Sequence, residues 1–141
     1  MRNWIVYLAG MPTSLYCRKM AVNPRDPRDN DHLWITLNFG ERATGTIEGS
    51  QVAKIADYYR GMIGTAGSLS TRNWGGELYW QNDKGACEQV KKGESFDKHL
   101  HFLDVVDRRC ASVADVRWAR AIVSISEKVI ESAVKNQVVA L

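Results

Sequence analysis

The last third of the chain, from Ser95 to Leu141, constrains the fold most. Its apolar residues recur at helical spacing in two consecutive stretches. Phe96, Leu100, Leu103 and Val106 lie at i, i+4, i+7 and i+10, which puts them on one helical face. Ser95 reads as the cap, and Arg108 and Arg109 suit the negative end of the helix dipole. Ser112, with Asp115 three residues on, resembles a capping box for a second helix, over 113–138. Val116, Ala119, Ile122, Val123, Ile130, Ala133 and Val134 form a broad stripe there, widened by Trp118, Ile125 and Val129. A stripe that wide predicts burial on more than one side, by the rest of the fold or by a second copy of the chain.

Strand signals dominate the part before it. Residues 3–9 are β-branched and aromatic and read as a buried strand. A second strand is expected over 14–22. Residues 32–39 alternate clearly, with Leu33, Ile35 and Leu37 on one face and Trp34 on the other; 43–48 adds a short strand. Ser50 reads as the cap of a central helix over 51–63, whose Val52, Ile55, Ala56, Tyr59 and Met62 share a side. The Gly/Ser/Thr-rich stretch 64–76 reads as a mobile loop. A strand over 77–81, a turn over 82–85 and a helical turn over 86–92 follow. Strands first and helices later predict one α+β domain over 1–141. A small antiparallel sheet would be packed by the central helix and by a C-terminal helical hairpin over about 95–138.

Composition narrows the function class. Apolar residues at 45% and charged residues at 25% suit an ordinary globular domain, and no segment has the length of a membrane span. The net charge of +3 comes without any block of like charge, so no polyanion-binding tail is present. Three cysteines without a CxxC pair argue against a disulfide framework and for the cytoplasm.

Sites of chemistry are weak. His99 and His101 form a His-x-His pair, but on a helix residues two apart do not face each other, so no metal site is expected. Cys110 follows two arginines and precedes a helix, which favours thiolate, with His99 or His101 as a candidate base; a buried structural cysteine is the simpler reading. Arg108, Arg109, Arg117 and Arg120 gather around the inter-helix turn with Trp118, a surface for phosphate or bases unless Asp104, Asp107 and Asp115 neutralise it. The glycines of 61–76 match neither the phosphate-cradling P-loop nor GxGxxG. No cofactor is expected. Arg60, Arg72, Trp74, Trp80, Arg117 and Trp118 are the residue types that dominate protein interfaces.

The expectation is therefore a small cytoplasmic binding protein without catalysis of its own. It would occupy a protein partner's surface, as immunity proteins or phage-encoded inhibitors of host defence do. The alternatives are a small enzyme or sponge for a nucleotide or RNA, using the arginines and histidines, and a structural homodimer or larger homo-oligomer joined through the 113–138 helix.

Overall fold

A computed structural model describes residues 4–21, 31–52, 59–72, 75–91 and 93–141. The chain divides into two compact units, Met1–Ala53 with Ala111–Leu141, and Lys54–Cys110. Both are built on antiparallel sheets, so the α+β expectation holds, with two small sheets in place of one.

The first unit contains α1 (Trp4–Ala9), β1 (Ser14–Met20), β2 (His32–Asn38), β3 (Thr44–Ser50), α3 (Val116–Lys135) and β8 (Val139–Ala140). Its sheet has the order β3-β2-β1-β8. Cys17 pairs with Ile35, which pairs with Ile47; Leu15 lies between Leu37 and Val139. Strand alternation puts these side chains on one face, where they form the core with Val6, Phe39 and Ile125. Trp34 lies on the other face and is exposed.

Residues 4–9 are a helix, not the expected strand. In a helix Ile5, Val6 and Ala9 lie on one side, and all three meet the core; strand alternation would turn Ile5 and Ala9 away from Val6. The core contact overrides the β-propensity of the run. The Gly10 amide, at φ +84°, closes α1 on the Val6 carbonyl at 2.9 Å.

Asp115 itself caps α3, its carboxylate accepting from the Trp118 amide at 3.0 Å. Left-handed Asn136 ends the helix. Only one edge of the long apolar stripe is covered: Trp118, Ile122, Ile125, Val129 and Ala133 meet the core. Ile125 and Val129 are thus intramolecular, which removes the central part of the expected self-association surface.

The second unit contains β4 (Arg60–Gly64), β5 (Gly67–Arg72), β6 (Glu77–Asn82), β7 (Cys87–Gln89) and α2 (Lys98–Val106), with sheet order β4-β5-β6-β7. The expected mobile loop over 64–76 is largely strand, because β5 pairs with β4 on one side and β6 on the other. The expected helix over 51–63 ends as strand β4, and its residues 53–58 lie outside the described ones. The helical turn expected over 86–92 contains β7. Asp97, not Ser95, caps α2, accepting from the His99 and Leu100 amides. Of the two C-terminal helices, α2 belongs to the second unit and α3 to the first.

Candidate functional site

The first unit carries a cleft of about 470 Å³ at the start of α3. Val6, Gly10 and Met11 line it from the α1 side, and Ser112, Val113, Asp115, Arg117 and Trp118 from the other. The indole of Trp118 meets the Tyr7 ring edge-on, with centroids 5.9 Å apart, which fixes one wall. Asp115 is committed to its cap. The cleft therefore offers an apolar wall, a hydroxyl and one guanidinium, a combination that receives a flat group carrying hydrogen-bonding substituents.

The expected arginine cluster is not assembled within either unit. Arg117 and Arg120, with Trp118, belong to the first unit; Arg108 and Arg109 belong to the second. Arg109 is bound by the acids of its own segment, Asp104 at 3.4 Å and Asp107 at 3.0 Å. Arg108 follows α2 in the left-handed region at φ +59° and is exposed.

The second unit brings His101 and Cys110 together, with Nδ1 3.5 Å from Sγ, while the Phe96 ring packs on the imidazole at 5.1 Å. Cys110 is exposed, so it is not a buried structural cysteine. The dyad can share a proton. His99 sits two positions away on α2, and no group of three metal-ligating side chains forms among the described residues.

On the sheet of this unit, Glu77, Tyr79 and Arg72 form a chain that sequence reasoning missed. The Tyr79 hydroxyl donates to Glu77 Oε2 at 2.9 Å, and the Arg72 guanidinium lies 5.2 Å over the Tyr79 ring. The hydrogen bond to Glu77 raises the phenol pKa above its ordinary value. Residues 77 and 79 point to one face by strand alternation, and that was the available signal. A groove of about 500 Å³ runs beside them, lined by Glu77, Leu78, Gln89 and Lys91. Trp80 is half-buried on the opposite face, Arg60 is exposed, and Trp74 lies outside the described residues.

No family model matches the chain, and no curated protein matches it. Solved structures do. A Thermotoga maritima protein described as an oxidoreductase superposes with a TM-score of 0.84 at 16% identity, over 98% of this chain and 43% of its own. The aldose-aldose oxidoreductase of Caulobacter crescentus, complexed with glycerol, matches with 0.83 at 14% identity, over 99% of this chain and 44% of its own. Levoglucosan dehydrogenase in complex with NADH and L-sorbose matches with 0.77 at 17% identity, over 98% and 47%. The chain shares its fold with part of each of these oxidoreductase structures. It spans less than half the length of the structures it matches.

This oxidoreductase-domain fold overturns the expectation of a non-catalytic immunity protein or phage-encoded inhibitor of host defence. The residues described here do not fit a dinucleotide. Such sites lie at the carboxyl ends of parallel strands, beside a Gly-rich turn that opens a helix. Here both sheets are antiparallel. Gly61, Gly64 and Gly67 of the Gly-rich stretch sit in the β4–β5 hairpin, where Gly67 packs under Trp80, and Gly75 and Gly76 immediately precede β6. No described helix is long and apolar enough to cross a membrane.

Proposed function

We propose that this chain is the part of a nicotinamide-dependent oxidoreductase that does not hold the dinucleotide, and that it walls the compartment for a polyhydroxylated substrate. The observation that carries the reading is the superposition of nearly all of this chain on less than half of an oxidoreductase chain. NADH with L-sorbose in one neighbour, and glycerol in another, support the substrate class. The cleft at Trp118 supports the role, since an indole receives the apolar face of a sugar ring while Arg117 and Ser112 meet hydroxyls. Unpaired thiols at Cys17, Cys87 and Cys110 support a reducing compartment, the cytoplasm.

The test is turnover. The protein is purified with any polypeptide joined to it or bound by it, and nicotinamide reduction is followed over a panel of aldoses, polyols and hydroxy acids. Activity with at least one is expected. Arg117→Ala should raise KM about tenfold at similar kcat, the signature of lost ground-state binding. A preparation that holds dinucleotide and turns over nothing in the panel overturns the substrate class.

A further inference from the structure

The turn after α2 builds a thiol–imidazole pair. His101 lies on α2 and Cys110 beyond its end, with Sγ 3.5 Å from Nδ1. The segment between them is fastened at successive points. The Asp107 amide donates to the Leu103 carbonyl at 2.9 Å, the Arg108 amide to Val105 at 3.1 Å and the Arg109 amide to Asp104 at 2.8 Å. The Arg109 guanidinium adds ion pairs to Asp104 and Asp107. His101 is held as well. Its amide donates to the Asp97 carbonyl at 3.0 Å, and the Phe96 ring packs on the imidazole at a tilt of 51°. All these contacts lie inside the second unit, so that unit alone sets the separation of sulfur and ring nitrogen.

We propose that Cys110 is a modification site, where the thiol exchanges with small acidic disulfides and His101 takes its proton. The inference stands apart from the proposed function and needs no particular substrate. The thiolate is the attacking species in such exchange, and a neutral imidazole with its lone pair on Nδ1 is placed to accept the thiol proton. Sγ then bonds to one sulfur of the reagent, and the reagent's S–S bond breaks. The departing thiolate takes the proton back from the imidazolium. Cys110 ends oxidised as a mixed disulfide, and half of the reagent leaves reduced as a thiol. The surroundings select an acidic reagent. Asp104 and Asp107 are engaged by Arg109, and the Asp97 carboxylate by the His99 and Leu100 amides. Exposed Arg108, two residues from the thiol, supplies a guanidinium suited to a carboxylate. The other thiols lack this arrangement. Cys17 is buried, and exposed Cys87 has no imidazole bonded to it among the described residues.

The experiment mixes the reduced protein with glutathione disulfide at neutral pH, quenches samples in acid over time and follows thiolation of each cysteine by peptide mass spectrometry. Cys110 should react at least about tenfold faster than Cys87, because base-assisted thiols carry more thiolate. His101→Asn keeps a polar side chain without the base. It should bring Cys110 to within about twofold of Cys87 while thermal unfolding stays unchanged. Arg108→Ala should slow glutathione disulfide at Cys110 and leave the neutral hydroxyethyl disulfide unaffected. Equal rates at Cys110 and Cys87 in the unaltered protein overturn the inference, whatever the variants do. So does a folded His101→Asn variant that keeps the advantage of Cys110. An Arg108→Ala effect shared by both reagents, or seen with neither, overturns the acidic class of reagent.

Discussion

At the scale of single residues, Ser132 joins the sheet to its covering helix. Strand β8 pairs only with Ser14 and Leu15, so the next inward amide of β1, that of Cys17, has no strand partner there. The buried Ser132 hydroxyl takes it, accepting at 2.8 Å and donating to the Gln137 carbonyl at 2.6 Å. Ser132→Ala should leave a buried N–H without that acceptor and cost about 1–3 kcal/mol, read by urea unfolding. The thiols make a second residue-level test. Burial pushes the Cys17 thiol above its ordinary pKa, the nearby Lys19 charge opposing only in part, and keeps it from solvent. Cys87 and Cys110 are exposed. A thiol reagent at neutral pH should consume these two quickly and Cys17 only on unfolding. Fast reaction of all three would show that the core opens more readily than its packing implies.

At the scale of elements, the turns and helix ends bear the strain and the charge. Gly67 sits at φ +144°, and a Cβ there would strike the Gln81 carbonyl and come within 2.9 Å of the Trp80 ring. Gly67→Ala should break the β5–β6 pairing and cost at least about 2 kcal/mol, seen as loss of amide protection in residues 67–72. On α3, Glu131 accepts from Lys128 at 2.8 Å and Lys135 at 2.6 Å. These ammonium groups lower its pKa from the ordinary 4.5 to about 2. A depressed folded pKa means stability present above the unfolded value and lost as pH falls through the folded one. The thermal midpoint should therefore fall between pH 4.5 and 2, and less steeply in Glu131→Gln. The side chain is solvent-accessible, so the effect should also shrink at high salt. An unchanged slope in the variant would mean the two ion pairs contribute nothing.

At the scale of the whole molecule, every apolar side chain buried among the described residues lies in the first unit. Ile125→Asp should unfold that unit, whereas Val123→Asp, at an exposed position, should leave its melting nearly unchanged. The isolated chain should not bind NADH: titration should produce no quenching of its tryptophans at micromolar dinucleotide. Saturable binding by this chain alone would contradict the misfit of its antiparallel sheets to a dinucleotide.

Local pattern was enough for much of this. Alternation in Leu33, Ile35 and Leu37 located β2, the Asn82–Gly85 turn was legible from its residue types, and helical spacing located α2 and α3. Those features depend on near neighbours in the chain, so the chain alone determined them. Tertiary structure decided the rest. Whether Trp4–Ala9 coils or extends depends on a core assembled from β1, β2 and α3, residues far away in sequence. The glycine-rich stretch became strand because β6 supplies the hydrogen bonds on its far side. The site followed the same division. Cys110 and His101 could be named as a pair from sequence, but only the turn after α2 sets them 3.5 Å apart. The likeness to oxidoreductase structures was illegible at the level of residues, because at 14–17% identity it resides in the order and pairing of elements and not in residue types. Such an order is kept by burial and pairing, which many different sequences satisfy equally well.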